Sequence, residues 1–194
     1  VLAINSPVGS GVFSIPWLYI AFVFVLMAGM SNAVNLTDSL DGLAGGSVTI
    51  AMIAMCAIAY ISNQLDIGLF AMAAAGACVG FLWFNTFPAQ VFMGDTGSLM
   101  IGGVIGVSAV LIRKELLLPI LCGIFLAESL SVILQRGHFR YTRKKYGEGR
   151  RLFLMAPLHH HYQKQGIPEP RIVVRFWLVG IVLAVGTLAL LKIR

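Results

Sequence analysis

The chain has 194 residues, of which 58% are hydrophobic and only 11% are charged. A soluble domain of this size carries about a quarter charged residues, so the composition disfavours water-soluble enzymes, disordered chains and nucleic-acid-binding modules. The formal net charge is +6, and in so apolar a chain we expect this excess in loops on one side of a bilayer. The sequence therefore predicts an integral membrane protein without a nucleic-acid partner.

The beginning of the chain and its cysteines add little chemistry. No basic segment followed by an apolar one begins at Val1, so we predict no signal peptide there. The three cysteines lie in apolar runs without C-x-x-C spacing: Cys56, Cys78 and Cys122. Neither a disulfide framework nor a zinc site is predicted from that pattern.

Six stretches are long and apolar enough to cross a bilayer, which takes about 20 helical residues. They are 16–36, 42–62, 67–84, 96–112, 115–135 and 172–192. The fourth is short and rich in glycine, which suits close packing of helices in lipid: Gly97, Gly102, Gly103 and Gly106. We therefore predict an all-α polytopic membrane protein, with the whole chain, 1–194, as one transmembrane domain.

Six crossings place the junctions 37–41, 85–95 and 136–171 on the same side of the membrane. The loop 136–171 carries nine basic residues: Arg136, Arg140, Arg143, Lys144, Lys145, Arg150, Arg151, Lys164 and Arg171. The opposite side carries four: Arg113, Lys114, Lys192 and Arg194. By the positive-inside rule the three junctions are cytoplasmic, and their polar clusters are expected to meet in one site.

The first cluster, Asn35–Asp41, has two carboxylates three residues apart, Asp38 and Asp41, where one apolar helix ends and the next begins. In a helical or tightly turned junction both project in the same direction. Helix capping is an equally good explanation, because Asn, Thr and Asp are common N-cap residues.

The second cluster places Asp95 between Gly94 and Gly97, where the backbone can approach a ligand closely. Magnesium is held by one or two carboxylates together with phosphate oxygens of a substrate, so Asp95 is a candidate ligand in a diphosphate–metal site. The alternative is an interfacial hairpin in which Phe87 and Phe92 dip into lipid.

The third cluster is His159-His160-His161 within the basic loop. Three adjacent imidazoles cannot all face one ligand from a helix or a strand, and catalytic zinc sites draw on spaced positions. One or two of them are expected to donate hydrogen bonds to phosphate, while the surrounding cations attract an anionic substrate or membrane lipid headgroups. The alternative is that the basic residues only set the topology.

Glu128 is a lone acid inside the fifth predicted span. Intramembrane carboxylates are costly and are functional candidates by default. It could equally be the structural partner of a cation such as Arg175. A transporter would use such an acid on a path at mid-membrane, but the other acids cluster at one face.

Three motifs resemble those of the phospho-N-acetylmuramoyl-pentapeptide transferase family, in its order and spacing from about residue 17 onward. They are Asn32–Asp38 with Leu40–Leu43, Phe81–Asn85 through Pro88–Asp95, and Met155–His161. The triple histidine distinguishes this family from the related enzymes that transfer N-acetylglucosamine 1-phosphate to a polyprenyl phosphate.

The resemblance implies a multi-pass enzyme of the bacterial inner membrane whose active site faces the cytoplasm. Such an enzyme moves phospho-MurNAc-pentapeptide from its UDP carrier to undecaprenyl phosphate with Mg²⁺ as cofactor, forming lipid I and UMP for peptidoglycan. By position in the motifs, Asp95 matches the metal-binding and catalytic aspartate, and Phe92 matches the aromatic residue that stacks on uracil. The other implied substrate-binding residues are Asn35, Asp38 and Asp41, and the other implied catalytic residues are Asn85, His159 and His160.

This sequence departs from the family pattern in two ways. Ser39 stands where the family usually has glycine. The family has ten spans, and its earlier half carries an adjacent Asp-Asp pair, whereas the 194 residues contain no such pair. The resemblance therefore implies a C-terminal portion, incomplete for catalysis alone, with a homodimer possible. A related N-acetylhexosamine-1-phosphate transferase and a nucleotide-binding, non-catalytic fragment are the alternatives.

Overall fold

The computed structural model describes residues 16–192, so the expectation of no signal peptide concerns residues outside the described part. The secondary structure between residues 16 and 192 is helical, as predicted. The helices are α1 (Pro16–Thr37), α2 (Leu43–Ile61), α3 (Leu65–Asn85), α4 (Gly94–Ile112), α5 (Leu118–Leu121), α6 (Gly123–Tyr146), α7 (Leu158–Lys164) and α8 (Glu169–Lys192). A short 3₁₀ turn, Glu115–Leu117, precedes α5.

Five of these helices, α1 to α4 and α8, are each long and apolar enough to cross a membrane. Their bounds agree with the first four predicted spans and the last one to within three residues. The chain is thus a polytopic membrane protein. Around α2, the most buried of the five, lies the main core, with side chains contributed by α2, α4 and α6: Val48, Met52, Met55, Ile58, Ile105, Ile112 and Phe125.

Of the four α4 glycines predicted to allow close packing of helices, Gly102 and Gly106 do so against α1. A Cβ atom on Gly102 would lie 2.7 Å from the carbonyl oxygen of Met30, and one on Gly106 would lie 2.8 Å from Sδ of Met27. A Cβ on Gly103 would meet nothing within 4 Å. One face of α4 therefore touches α1 almost backbone to backbone.

The predicted fifth span over 115–135 is a bent pair of helical segments rather than one straight helix. The helix is interrupted at Cys122, and the helical segments on its two sides are bent by 79° relative to each other. Pro119 lies in the first turn of α5 and Gly123, a poor helix former, opens α6. The prediction of a long loop over 136–171 is wrong in detail, because α6 continues to Tyr146 and α7 and the start of α8 lie within that range.

Two long-range hydrogen bonds show that the broken pair still connects the two sides of the membrane. Tyr19 donates to Glu115 at 3.0 Å, which places the start of α1 beside the 3₁₀ turn. On the other side, the backbone N–H of Asp41 donates to Glu169 Oε1 at 2.8 Å, which joins the α1–α2 turn to the start of α8. The segment between Glu115 and Glu169 therefore runs from one end of α1 to the other. The placement of the three junctions on one side of the membrane stays a prediction.

Candidate active site

The ends of α1 and α4 bring the first two predicted clusters together. The amide nitrogen of Asn35, near the end of α1, donates to Asp95 Oδ1 at 2.9 Å and to Ser98 Oγ at 3.0 Å. Ser98 is fully buried, and its hydroxyl donates to the carbonyl oxygen of Gly94 at 2.9 Å. Asp95 itself is exposed in the first turn of α4, where the helix dipole favours negative charge. Asn35 therefore orients a carboxylate that remains open to solvent.

Asp38 lies close enough to Asp95 for their charges to interact. Partial burial raises the pKa of the Asp38 carboxyl, and the negative charge of Asp95 raises it further. A cation bound between the two carboxylates would offset the repulsion between their negative charges. The structure thus gives an electrostatic reason for a cation here.

The donor set suits magnesium only when a substrate completes the coordination. Within residues 16–192 no group of three or more His, Cys, Asp or Glu side chains is placed to hold a metal. Magnesium usually keeps several waters and binds through one or two carboxylates plus substrate phosphates, rather than in an all-protein cage. Asp95, with Asp38 beside it, fits that pattern.

Asp41 and Asn85 hold the loop between α3 and α4. Asp41 Oδ2 accepts the backbone N–H of Ala89 at 2.9 Å. Asn85 is buried; its Oδ1 accepts the N–H of Gly42 at 3.0 Å, and its amide nitrogen donates to the carbonyl oxygen of Val91 at 2.8 Å. These bonds give both side chains a structural role, and the catalytic role of Asn85 and the substrate contact of Asp41 stay predictions.

Phe92 lies on that loop with 72% of its surface exposed. No packing in the described part of the chain covers its ring, so a flat face is available for a nucleobase or for lipid. Both sequence interpretations of Phe92 remain compatible with this placement.

The three histidines open the short helix α7 and have three different surroundings. His159 is fully buried, and its Nδ1 lies 3.2 Å from Glu128 Oε2 without the geometry of a hydrogen bond. His161 Nδ1 accepts the backbone N–H of Leu154 at 3.1 Å. His160 is half-buried, and its Nδ1 lies 2.7 Å from the side-chain oxygen of Gln163.

This placement answers the question that the sequence left open about Glu128. Its contact is His159 on α7, not Arg175, which is exposed on α8. The catalytic roles of His159 and His160 stay predictions, but only His160 of this pair has partial access to solvent.

Sequence reasoning missed the residues that tie α8 to the acidic turn, defined as residues 38–42. Glu169 accepts the N–H of Asp41, and the indole N–H of Trp177 donates to the carbonyl oxygen of Gly42 at 3.3 Å. Gly42 has a φ of 78°, which glycine adopts without strain. The only sequence signal was an acid directly before the last apolar run.

Comparison with known proteins gives a consistent result. Residues 1–113 match the family model described as glycosyl transferase family 4. The chain is 51% identical over 208 residues to the phospho-N-acetylmuramoyl-pentapeptide-transferase of Parabacteroides distasonis, covering 92% of this chain and 50% of that protein. It is 50% identical over 202 residues to the protein of the same name from Flavobacterium psychrophilum, covering 96% and 49%. A third, from Amoebophilus asiaticus, is 52% identical over 203 residues, covering 93% and 50%. The chain thus spans about half the length of the curated relatives it matches.

Proposed function

The chain belongs to glycosyl transferase family 4, and from this premise we propose that it forms part of the active site of a phospho-N-acetylmuramoyl-pentapeptide transferase. The reaction transfers phospho-MurNAc-pentapeptide from UDP to undecaprenyl phosphate at the cytoplasmic face of the bacterial inner membrane, giving lipid I and UMP. Relatives of that name, about half identical over more than nine tenths of this chain, support the proposal. The predicted homodimer stays a prediction.

The observation that carries this proposal is the meeting of Asn35, Asp38 and Asp95 at the ends of α1 and α4. Asp95, with Asp38 beside it, would hold Mg²⁺. When bound, the ion would neutralise charge on the diphosphate and on the leaving UMP. Asn35 restricts the orientation of the Asp95 carboxylate by donating to Oδ1 at 2.9 Å, which leaves Oδ2 as the oxygen that would bind the metal.

The loop between α3 and α4 is proposed to bind the nucleoside. A uracil ring offers a flat face for stacking and a polar edge for hydrogen bonds. Phe92 supplies an uncovered ring face on a loop that Asp41 holds at Ala89 and Asn85 holds at Val91. Phe92 precedes Asp95 by three residues, so the same segment leads from the aromatic ring to the proposed metal ligand.

His160 is the histidine that we assign to the phosphate groups. Its Nδ1 lies 2.7 Å from the side-chain oxygen of Gln163. Nε2 is therefore the ring nitrogen proposed to hydrogen-bond to a phosphate oxygen. His159 cannot reach a substrate without leaving its buried contact with Glu128.

The test is Asp95→Asn in the intact protein that contains this chain. Loss of a metal ligand is expected to lower magnesium-dependent UMP release by at least about 100-fold, because several kcal/mol of transition-state stabilisation depend on the metal. Asp66→Asn is the matched control, since Asp66 also lies in the first turn of a long apolar helix, α3, but at the opposite membrane face. Parental turnover by a folded Asp95→Asn variant would contradict the proposed site.

A further inference from the structure

One face of α6 carries polar side chains at seven-residue spacing: Glu128, Gln135 and Thr142. Seven residues are nearly two turns of an α-helix, so these three side chains point in the same direction. The segment 150–159, which we name the strap, connects the region after α6 to the first histidine of α7. Each of the three polar residues contacts the strap.

Thr142 and its neighbour His138 hold the first residue of the strap. The hydroxyl oxygen of Thr142 accepts the backbone N–H of Arg150 at 2.9 Å. His138 Nδ1 lies 3.1 Å from the carbonyl oxygen of the same residue. Both backbone groups of Arg150 are thereby bound to α6.

Gln135 holds the middle of the strap with both ends of its amide. Its Oε1 accepts the backbone N–H groups of Leu152 at 3.0 Å and of Phe153 at 2.8 Å. Its Nε2 donates to the carbonyl oxygen of Phe153 at 3.1 Å. The strap has no regular secondary structure before α7, and outside the helices residues 150–156 make no backbone–backbone hydrogen bonds within the described chain. Side chains of α6 therefore satisfy backbone groups that a helix or sheet would otherwise pair.

At the far end of the strap, Glu128 Oε2 lies 3.2 Å from His159 Nδ1, a buried approach without hydrogen-bond geometry, and both side chains are fully inaccessible to solvent. From Thr142 to Glu128 the helix rises by about 21 Å, at about 1.5 Å per residue. The strap covers this distance in the opposite direction, from Arg150 to His159. The contacts therefore occur in register along the whole antiparallel pair, not at one point.

We propose that this polar face of α6 is a template for the strap, and that Glu128, Gln135 and Thr142 are positioning residues that act on the reaction through His160. The ring of His160 lies 4.3 Å, centroid to centroid, from that of the buried His159, so the position of one imidazole limits that of the other. His161 is also held within this unit, because it accepts the N–H of Leu154. The inference rests on the proposed function for the assignment of His160 to the phosphate groups.

The first test measures amide hydrogen exchange in the strap of the intact protein. Gln135→Leu is expected to speed exchange at Leu152 and Phe153, and Thr142→Val at Arg150, each by about tenfold, because a lost hydrogen bond lowers the local opening free energy. Ser129→Ala is the matched control on the same helix, since the Ser129 hydroxyl is buried and has no hydrogen-bond partner within residues 16–192. Gln135→Glu retains the acceptor oxygens for two of the three bonds and is expected to keep most of the protection.

The second test measures steady-state kinetics of the variants at Gln135 and Ser129 and of Glu128→Gln, with UDP-MurNAc-pentapeptide and undecaprenyl phosphate. Gln135→Leu and Glu128→Gln are expected to lower kcat by about tenfold or more while KM for the nucleotide changes less than about threefold, because misplaced catalytic groups affect the transition state rather than ground-state binding. Ser129→Ala is expected to keep parental kcat, and Gln135→Glu to recover most of it.

Unchanged exchange in both Gln135→Leu and Thr142→Val would overturn the template. Faster exchange with parental kcat and KM would overturn the positioning role. The exchange experiment does not depend on the substrate, so a failure of the proposed transferase activity leaves its result interpretable.

Discussion

Replacing Gly102 with alanine is expected to separate α1 from α4 directly beneath the candidate active site. The new Cβ would lie 2.7 Å from both the carbonyl oxygen of Met30 and Cα of Ser31. Carbon atoms pack at about 3.5–4.0 Å, so the two helices must move apart by about 1 Å. Both contacted atoms belong to the backbone of α1, and no side-chain rotation can relieve the overlap.

The cost can be worked out from three contributions. Overpacking of this kind costs about 1–3 kcal/mol. The hydroxyl of Ser31 donates to the carbonyl oxygen of Leu99 at 2.8 Å across the same interface, and losing an interhelical bond in a membrane costs about 0.6 kcal/mol. Replacing glycine with alanine within a helix stabilises the helix by up to about 1 kcal/mol, which offsets part of these two costs. Gly103→Ala measures this last contribution alone, since nothing lies within 4 Å of a Cβ at that position.

Gly102→Ala is therefore expected to be less stable than Gly103→Ala by about 1.6–3.6 kcal/mol, the sum of overpacking and the lost hydrogen bond. Thermal unfolding in detergent would show this as a fall in Tm of roughly 3–14 °C. We also expect weaker magnesium-dependent activity, because Asn35 lies one helical turn beyond Ser31 and bonds to Asp95. Equal stability of the two alanine variants would refute the backbone contact between α1 and α4.

Two further predictions concern the nucleotide and the metal. Phe92→Ala is expected to weaken uridine nucleotide binding by about 1–3 kcal/mol, the scale of base–aromatic stacking. Phe87→Ala is the control, because Phe87 is also exposed on that loop. Equal nucleotide affinities of the two variants in a titration would favour the interpretation that Phe92 dips into lipid. For Asp38, burial and the charge of Asp95 raise the carboxyl pKa in the folded protein, so the parent loses stability as the pH rises from the unfolded pKa of about 4 through the raised value. Without magnesium, Asp38→Asn is expected to unfold at a higher temperature than the parent near pH 8, and this difference in Tm is expected to disappear near about pH 4. A Tm difference that does not vary with pH would contradict the electrostatic explanation.

The sequence predicts the membrane plan well because bilayer crossing imposes one simple requirement on each span. A run of about 20 apolar residues is visible without knowledge of any contact. The number of spans and the charge asymmetry then predict that the three junctions lie on one side, and the bonds Asn35–Asp95 and Asp41–Glu169 show that residues of these junctions meet. The glycines of α4 likewise predict close helix packing from the sequence, although only the structure shows which of them contact α1.

The sequence could not predict which polar residues serve the loops and which remain available for substrate. Asn85 and Asp41 are residue types that are common in active sites. In this structure, however, their side chains bind backbone groups of the α3–α4 loop and of the acidic turn. The same limit applies to the histidines, since three identical side chains in a row differ only in what surrounds them. Such distinctions depend on long-range partners, which local spacing does not reveal.

The break at Cys122, the lone acid Glu128 and the triple histidine form one structural feature. In a straight fifth span, the polar face of α6 would extend along the bilayer, and Glu128 would need a partner within the apolar core. The 79° bend instead redirects α6, so that its apolar face, which includes Leu130 and Ile133, stays exposed while the polar face meets the strap. The Glu128 carboxylate thus faces His159 rather than a basic residue on α8. The bend therefore lets the polar face of α6 pack against the strap, the segment that leads to His160.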